Sequence, residues 1–188
     1  MKYDLTKHRR RLIRLKDFDY SQPGAYFVTV GTRDREILFG DVVDGESRLN
    51  DAGSMVQEVW HDLPKHYAEI ELDSFVVMPN HVHGIVALHD DRSGRAGLKP
   101  APTKTRPGLP EIVRAFKTFS ARSVNGLRGT QGLSVWQRNY YEHVIRVETE
   151  LARIREYIKN NPLQWELDRE NPLRRLDVMP EVSDPWEV

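Results

Sequence analysis

The chain has 188 residues, of which 39% are hydrophobic, and its 28 basic and 28 acidic side chains give no net charge. This composition is typical of a soluble globular domain, and no apolar stretch is long enough to span a bilayer, which excludes a membrane protein. Because cysteine is absent, disulfides and thiolate metal sites are excluded, and any metal must bind imidazole, carboxylate, amide or water. The N-terminus leads into charged residues instead of an apolar signal core, so we expect no secretion signal and a cytoplasmic location.

Charge is distributed unevenly along the chain. Residues 1–16 hold seven basic and one acidic side chain, whereas residues 163–188 hold seven acidic and three basic ones. We interpret residues 1–19 as a basic N-terminal arm that can follow a phosphate backbone, with a merely solvated terminus as the alternative. Residues 20–165 are then the folded domain, and residues 166–188 are an acidic C-terminal tail that packs loosely against it.

The first half of the chain predicts three strands and one helix. Aromatic and β-branched residues indicate a strand at residues 25–32, and residues 33–48 form a loop with a short hairpin as an option. Apolar residues at helical spacing predict a helix that begins near Asn50 and is ended by Pro64. Two further strands, joined by a tight turn, occupy residues 70–88.

The second half begins with a flexible, polar loop at residues 89–108. A helix from Pro110 is closed by Asn125–Gly126, and its buried stripe consists of Ile112, Val113, Phe116 and Phe119. A fourth strand covers residues 133–145, with irregular backbone near residues 137–139. A third helix covers residues 148–160.

The resulting order is strand, helix, strand, strand, helix, strand and an extra helix. The first six elements predict an α+β fold of the ferredoxin-like split βαβ type, an antiparallel sheet with helices on one face. The extra C-terminal helix carries a tyrosine, Tyr157. In this topology the first and third strands are the central pair of the sheet.

The candidate site begins with two histidines at the start of the third strand. His81 and His83 lie two residues apart, so their side chains point to the same face of the sheet, while Val82 points to the other face. Two adjacent imidazoles on a rigid strand can bind a metal ion. Histidines that only make structural hydrogen bonds are the alternative.

The third helix adds two polar residues. Tyr157 and Asn161 lie four residues apart and therefore share a helical face, away from the apolar stripe. Tyr157 can also be a tyrosine at the edge of the core, and Asn161 can be a helix C-cap before Pro162. Tyr140 and Tyr141, with Trp136, are most simply sheet and core residues.

Three sequence blocks, Met78–His83, Trp136–Arg146 and Glu156–Pro162, carry a resemblance to a known family. In this order and at this spacing they resemble the single-tyrosine HUH transposase superfamily, and most closely its REP-associated tyrosine transposase branch. The resemblance covers residues 20–165. It implies a ferredoxin-like enzyme that cuts and rejoins single-stranded DNA beside hairpins, the repeated extragenic palindromes, through a covalent 5′-phosphotyrosine.

The resemblance also implies the site residues. Tyr157 matches the nucleophile, and His81 and His83 match two ligands of a divalent metal ion, Mg²⁺ or Mn²⁺. Asn161 matches the third ligand, although the wider superfamily has a longer glutamine there, so Glu142 or His143 could compete for this role. Tyr140 or Tyr141 could replace Tyr157 as the attacking residue.

The remaining expectations concern the partner. We expect hairpin or single-stranded DNA to contact basic residues of the arm and of the second helix: Arg9, Arg10, Arg11, Arg14, Arg114, Lys117 and Arg122. The resemblance implies a bacterial, nucleoid-associated protein without a small-molecule cofactor, and a monomer instead of a dimer. Two alternatives remain: a hairpin-binding module without catalysis, and a metal-dependent hydrolase in which the histidines activate water.

Overall fold

The computed structural model describes residue 15 and residues 18–90 and 107–173. The strands are β1 (Gly24–Gly31), β2 (Gly40–Val43), β3 (Glu46–Leu49), β4 (Ile70–Met78), β5 (His81–Leu88) and β6 (Tyr141–Ile145). The helices are α1 (Asp51–His66), α2 (Leu109–Arg128) and α3 (Glu148–Asn160), with short 3-10 helices at Arg33–Arg35 and Pro162–Leu167. No helix within the described ranges combines the length and the apolar character that a membrane crossing requires.

The main sheet has four strands in the order β4-β5-β1-β6, and every neighbouring pair is antiparallel. The first and third strands of the predicted motif, β1 and β5, are therefore central. The α+β, ferredoxin-like split βαβ prediction is confirmed. β2 and β3 form a separate hairpin, and its turn residues Asp44 and Gly45 both have positive φ angles, as the twist of a two-residue turn requires.

One face of the sheet is covered by α1 and α2. Trp60 of α1 and Phe116 of α2 are buried against each other in edge-to-face contact. They pack on the even-numbered residues of β5, such as Val82 and Val86. A Cβ at Gly84 would collide with the Trp60 ring, so the close approach of helix and strand requires glycine there.

The opposite face is covered by α3. Ile154 and Ile158 pack on Phe27 of β1, Ile85 of β5 and Ile145 of β6 in a second apolar cluster. Because strand side chains alternate between faces, the odd-numbered residues of β5, including both histidines, lie under α3. The sheet therefore separates the tyrosine-bearing helix from α1 and α2.

The predicted end of α1 at Pro64 is wrong, since the helix continues to His66. Proline lacks a backbone N–H and its ring crowds the carbonyl four residues earlier, but the helix still closes its last turn because Tyr67 N–H donates to the carbonyl of Leu63.

The predicted end of α2 at Asn125–Gly126 is also wrong. The Asn125 side chain donates to the carbonyl of Leu133 and is buried, while the left-handed C-cap is Gly129, with φ 65°. Phe119, predicted to be buried, is 40% exposed. The buried stripe of α2 continues from Phe116 through Ser120 and Val124, so Phe119 lies beside the stripe and not in it.

The predicted fourth strand over residues 133–145 is too long, because irregular backbone extends over residues 133–140 and not only over 137–139. β6 proper begins at Tyr141, and Trp136 forms an isolated antiparallel bridge with Thr32 beyond the end of β1. The predicted arginines of the arm (Arg9, Arg10, Arg11 and Arg14), loop residues 91–106 and residues 174–188 lie outside the described residues.

An ion pair connects α3 to the edge strand β4. Arg155 Nη2 lies 2.7 Å from Asp73 Oδ2, and this contact holds the pKa of the Asp73 carboxyl below its ordinary value. A depressed pKa means that the stabilisation is present above the unfolded-state pKa and is lost as pH falls through the folded-state pKa. The pair therefore contributes at neutral pH and fades below about pH 4.

We expect Asp73→Asn to lower the free energy of unfolding by about 0.5–1 kcal/mol at neutral pH, because Arg155 is partly exposed and water screens the pair. The difference from wild type should disappear on acidification, as measured by urea unfolding across this pH range. Asp41→Asn, at an exposed site on β2, is the matched control. A difference that does not depend on pH would contradict this assignment.

Candidate active site

The two histidines are the first and third residues of β5, next to the turn that joins β4 to β5. His81 pairs with Gly31 and His83 with Thr29 of β1, so both lie between the two central strands, at the end of the sheet where β5 begins. Their exposed fractions are 0% and 4%, and their Nε2 atoms are 3.0 Å apart. The prediction that both imidazoles lie on one face of the strand is correct. Their Nε2 atoms are close enough to bind the same metal ion.

A hydrogen-bond network fixes the tautomer of His81. The Asn80 amide nitrogen donates to the carbonyl oxygens of Arg35 (3.2 Å) and Glu170 (2.7 Å), so its Oδ1 must be an acceptor. The His81 Nδ1–H donates to this oxygen at 2.9 Å. The Nε2 lone pair of neutral His81 therefore points toward His83, as a metal ligand requires.

His83 is positioned by two residues of β1. Its Nδ1 lies 2.8 Å from the Thr29 hydroxyl, which can donate or accept and so supports either tautomer. The Phe27 ring stacks on the imidazole, with a centroid distance of 5.4 Å. Such outer contacts hold a ligand ring in a fixed orientation.

Burial keeps both imidazoles neutral. It lowers the pKa of His81, although the negative charges of Asp168 and Glu170 oppose the shift. The pKa of His83 lies well below its ordinary value because of burial and of the neighbouring His81. Neutral rings keep the lone pairs that a cation needs.

Asn161 ends α3 as the predicted C-cap residue, and its side chain is buried beside His81. Its Oδ1 accepts no hydrogen bond from the part of the chain that the structure describes. A buried amide oxygen without a donor is costly, and a cation would satisfy it.

Asp168 follows the 3-10 helix at Pro162–Leu167 and was missed by the sequence analysis. Its Oδ2 lies 3.8 Å from His81 Nε2, and its side chain is only 8% exposed. Trp165, from the same segment, places its ring 6.1 Å from that of His81. No periodic pattern or motif points to Asp168, which the sequence assigns to the acidic tail.

The donor set fits a divalent cation. The ligand atoms of His81, His83 and Asp168 lie within 4.8 Å of one another, and Asn161 adds the buried amide oxygen. Mixed imidazole and oxygen donors suit manganese and related divalent ions.

Glu142 and His143, the two alternatives for the third metal ligand, do not lie in this cluster. Glu142 pairs with Val28 and shares its side of the sheet, the face covered by α1 and α2. His143 lies under α3, but its Nε2 is 2.7 Å from a carboxylate oxygen of Glu150.

Tyr157 lies against the histidine pair. Its ring centroid is 5.3 Å from that of His83 and 6.1 Å from that of Phe27, both edge-to-face. Tyr141 lies on the same side of the sheet and contacts Phe27 at 6.4 Å, whereas Tyr140 lines a groove beside α2. The geometry therefore favours Tyr157 over the two alternative tyrosines.

The predicted DNA-contacting residues of α2 lie on the other side of the sheet. Arg114 and Arg122 are exposed there. Lys117 was predicted to face outward, but it is partly buried and donates to the backbone carbonyls of Gln137 and Arg138. None of the three belongs to the histidine and tyrosine cluster.

Comparison with known proteins identifies relatives of the chain. A Haemophilus influenzae protein described as "Uncharacterized protein" is 39% identical over 178 residues, which cover 89% of this chain and 96% of that protein. Another protein of the same bacterium, described as "Putative REP-associated tyrosine transposase", is 26% identical over 148 residues, covering 78% and 74%. Over most of its length the chain is therefore similar to a protein described as a REP-associated tyrosine transposase, the family that its three sequence blocks resemble.

A solved structure has a similar fold. The structure of a REP-associated tyrosine transposase bound to a REP hairpin covers 91% of this chain and 94% of that chain, with a TM-score of 0.54 and 19% identity. At this identity the likeness shows that the two chains share a fold. No protein-family model matches the chain.

Proposed function

We propose that this protein is a metal-dependent single-stranded DNA endonuclease and strand transferase that acts at DNA hairpins of the REP type. The observation that carries the proposal is the contact of Tyr157 with His83, one of two buried histidines whose Nε2 atoms converge. The hairpin is proposed because a chain of the same fold is described as bound to one.

In the proposed reaction the Tyr157 oxygen attacks a backbone phosphorus. A tyrosine–phosphorus bond forms, the bond from phosphorus to the 3′ oxygen breaks, and the 3′ oxygen leaves as a hydroxyl after taking up a proton. The phenolic proton passes to solvent or to a base. Because a phosphodiester is exchanged for a phosphodiester, the reverse attack by a 3′-hydroxyl rejoins strands without a nucleotide cofactor.

His81, His83 and Asn161 are the proposed ligands of a divalent ion, Mg²⁺ or Mn²⁺, and Asp168 is added to them. Such an ion would supply Lewis-acid polarisation of the scissile phosphate, which assists attack by a neutral phenol. Asn80 and Thr29 orient the two imidazoles.

The proposed DNA contacts are electrostatic. Arg114 and Arg122, with Lys117 and the arginines of the N-terminal arm, would bind phosphates of the hairpin. We propose that the protein acts as a monomer in the bacterial cytoplasm, where it is associated with the nucleoid.

A hairpin-binding module without catalysis is the second candidate. The observation that favours it is that His81 is completely buried beside Trp165 and Asp168, so its ring offers no surface to DNA.

The experiment that tests the proposal is a search for the covalent adduct. The protein is incubated with labelled single-stranded hairpin oligonucleotides and Mn²⁺, with a chelator control, and run on a denaturing gel. Trypsin then separates the candidates, because Tyr157 lies in peptide 156–159 and both Tyr140 and Tyr141 lie in peptide 139–146.

A nucleotide attached to peptide 156–159 supports the proposal. Attachment to peptide 139–146 would transfer the role to another tyrosine. Cleavage without an adduct would favour the hydrolase, and binding alone, with every hairpin and metal tested, would favour the module.

A further inference from the structure

The turn that joins β4 to β5 lies between two segments that are distant from it in the sequence. On one side the chain after β1 folds around it, since Thr32 N–H donates to the carbonyl of Asn80 and Leu38 N–H to that of Pro79, both at 2.8 Å. On the other side lies the chain that follows the 3-10 helix at Pro162–Leu167. The Asn80 side chain, which is 1% exposed, is buried between the two segments.

The Asn80 carboxamide contacts both segments as well as His81. A carboxamide nitrogen carries two N–H donors, and here one donates to the carbonyl of Arg35 and the other to the carbonyl of Glu170. Its oxygen accepts from His81. One buried side chain therefore connects the first ligand of the proposed metal site to the C-terminal segment.

Glu170 in turn orients Asp168. Its backbone N–H donates to Asp168 Oδ1 at 2.6 Å, and Asn171 N–H donates to the Asp168 carbonyl at 3.1 Å. These bonds close a tight turn and leave the second carboxylate oxygen, Oδ2, 3.8 Å from His81 Nε2. Because Glu170 donates to Asp168 and accepts from Asn80, its backbone links the carboxylate to the turn that precedes β5.

The third contact of Asn80 is to a strained piece of backbone. Asp34 and Arg35 have φ angles of 55° and 58°, a left-handed conformation that is uncommon for arginine. In this conformation the Arg35 carbonyl accepts from Asn80, and the Arg35 Nε lies 3.3 Å from the Glu170 carboxylate. Strained backbone persists where the surrounding contacts fix it, and such residues are concentrated at functional sites.

We propose that Asn80 is a positioning residue that fastens the segment bearing Asp168 to the start of β5, so that Asp168 and His81 can bind the same metal ion. Its role therefore exceeds the orientation of one imidazole. The inference rests on the metal site of the proposed function, and it explains how a carboxylate from the end of the domain reaches a histidine in the sheet.

Asn80→Asp separates the two roles of this side chain. The aspartate keeps an oxygen that accepts from His81, and a carboxylate in this position makes a ligand imidazole more basic. If Asn80 acted on His81 alone, the affinity for Mn²⁺ would stay the same or rise. The change also replaces the amide nitrogen by an oxygen that repels the carbonyls of Arg35 and Glu170. We therefore expect the affinity for Mn²⁺, measured by calorimetric titration without DNA, to fall by about tenfold or more.

This loss should depend on Asp168. In an Asp168→Ala background the carboxylate that Asn80 positions is gone, so Asn80→Asp should cause no further loss of affinity for Mn²⁺. Such non-additivity is the signature of residues that act through one interaction. Equal losses in the two backgrounds, or an unchanged or higher affinity in Asn80→Asp alone, would overturn the inference.

Hydrogen exchange of the metal-free protein gives a second readout. The backbone N–H groups of Asp168, Glu170 and Asn171 all donate hydrogen bonds within the segment. If Asn80 fastens this segment, Asn80→Asp should speed exchange at these three amides by about tenfold or more, and exchange within α1 should not change. Wild-type exchange rates at the three amides would contradict the proposal.

Asn125→Asp is the matched control. Asn125 is also a buried asparagine whose amide donates to a backbone carbonyl, that of Leu133, but it lies on α2 at the other face of the sheet. Its replacement should lower the midpoint of thermal unfolding and leave both the affinity for Mn²⁺ and the exchange of residues 168–171 as in the wild type. If this control loses affinity to the same extent, the effect is one of general stability and the inference fails.

A measurement on the wild type does not depend on the folding of a variant. Nuclear Overhauser contacts should join the Asn80 side-chain amide protons to the backbone protons around Arg35 and Glu170 without metal, and their absence would overturn the inference. None of these measurements uses DNA or the reaction of Tyr157. The positioning role can therefore fail while the covalent adduct forms, and it can hold if no adduct is found.

Discussion

Tyr157→Phe is expected to reduce covalent attachment to hairpin DNA by about 10³-fold or more, because it removes the attacking oxygen and keeps the aromatic ring. The ring contacts with His83 and Phe27 should be retained, so the midpoint of thermal unfolding should change little. The rate of adduct formation on a denaturing gel measures the first effect, and circular dichroism the second.

Tyr141→Phe is the matched control. Tyr141 also packs on Phe27 under α3, with the ring centroids 6.4 Å apart, so it is a second phenol on the same face of the sheet. It should form the adduct at close to the wild-type rate. The opposite pattern, with attachment lost in Tyr141→Phe and kept in Tyr157→Phe, would show that the nucleophile has been assigned to the wrong residue.

The double variant His81→Ala/His83→Ala is expected to lower the affinity for Mn²⁺ by about 100-fold or more. Changes in residues that only orient a ligand already cost about 10–100-fold in metal affinity, and here two direct ligands are removed. Calorimetric titration measures the affinity without any need for DNA. Asp168→Asn should cause a smaller loss, since it keeps one oxygen but removes the charge.

His143→Ala tests whether position in the fold, and not histidine content, determines binding. Its imidazole contacts Glu150, so the variant should bind Mn²⁺ as the wild type does. An equal loss in His143→Ala and in the double variant would disprove the assignment of the site to His81 and His83. Unfolding midpoints for all variants separate loss of a ligand from loss of the fold.

Local patterns determined much of the candidate site. The spacing of His81 and His83 predicts that both point to one face, since strand periodicity is fixed by the backbone alone. The spacing of Tyr157 and Asn161 determines a shared helical face for the same reason. These rules need no knowledge of the rest of the chain, and the structure agrees with both.

Helix ends were predicted less well. Pro64 and Asn125–Gly126 are stop signals in the sequence, but both lie inside helices that continue for two residues or more. A stop signal costs a limited free energy, and packing of the helix against the sheet can exceed it. The balance between the free-energy cost of a stop signal and the packing energy of the helix cannot be judged from a local sequence pattern.

By itself, then, the sequence determined the order of the elements, the ferredoxin-like sheet and the pairing of the two histidines on one strand face. Only the tertiary structure decided that Asp168 approaches His81, that Glu142 lies on the opposite face and that Lys117 is bound to backbone carbonyls. The reason is physical: side-chain direction within one element follows from backbone periodicity. Contacts between distant segments depend on how separate elements pack, and that packing leaves no regular spacing along the chain.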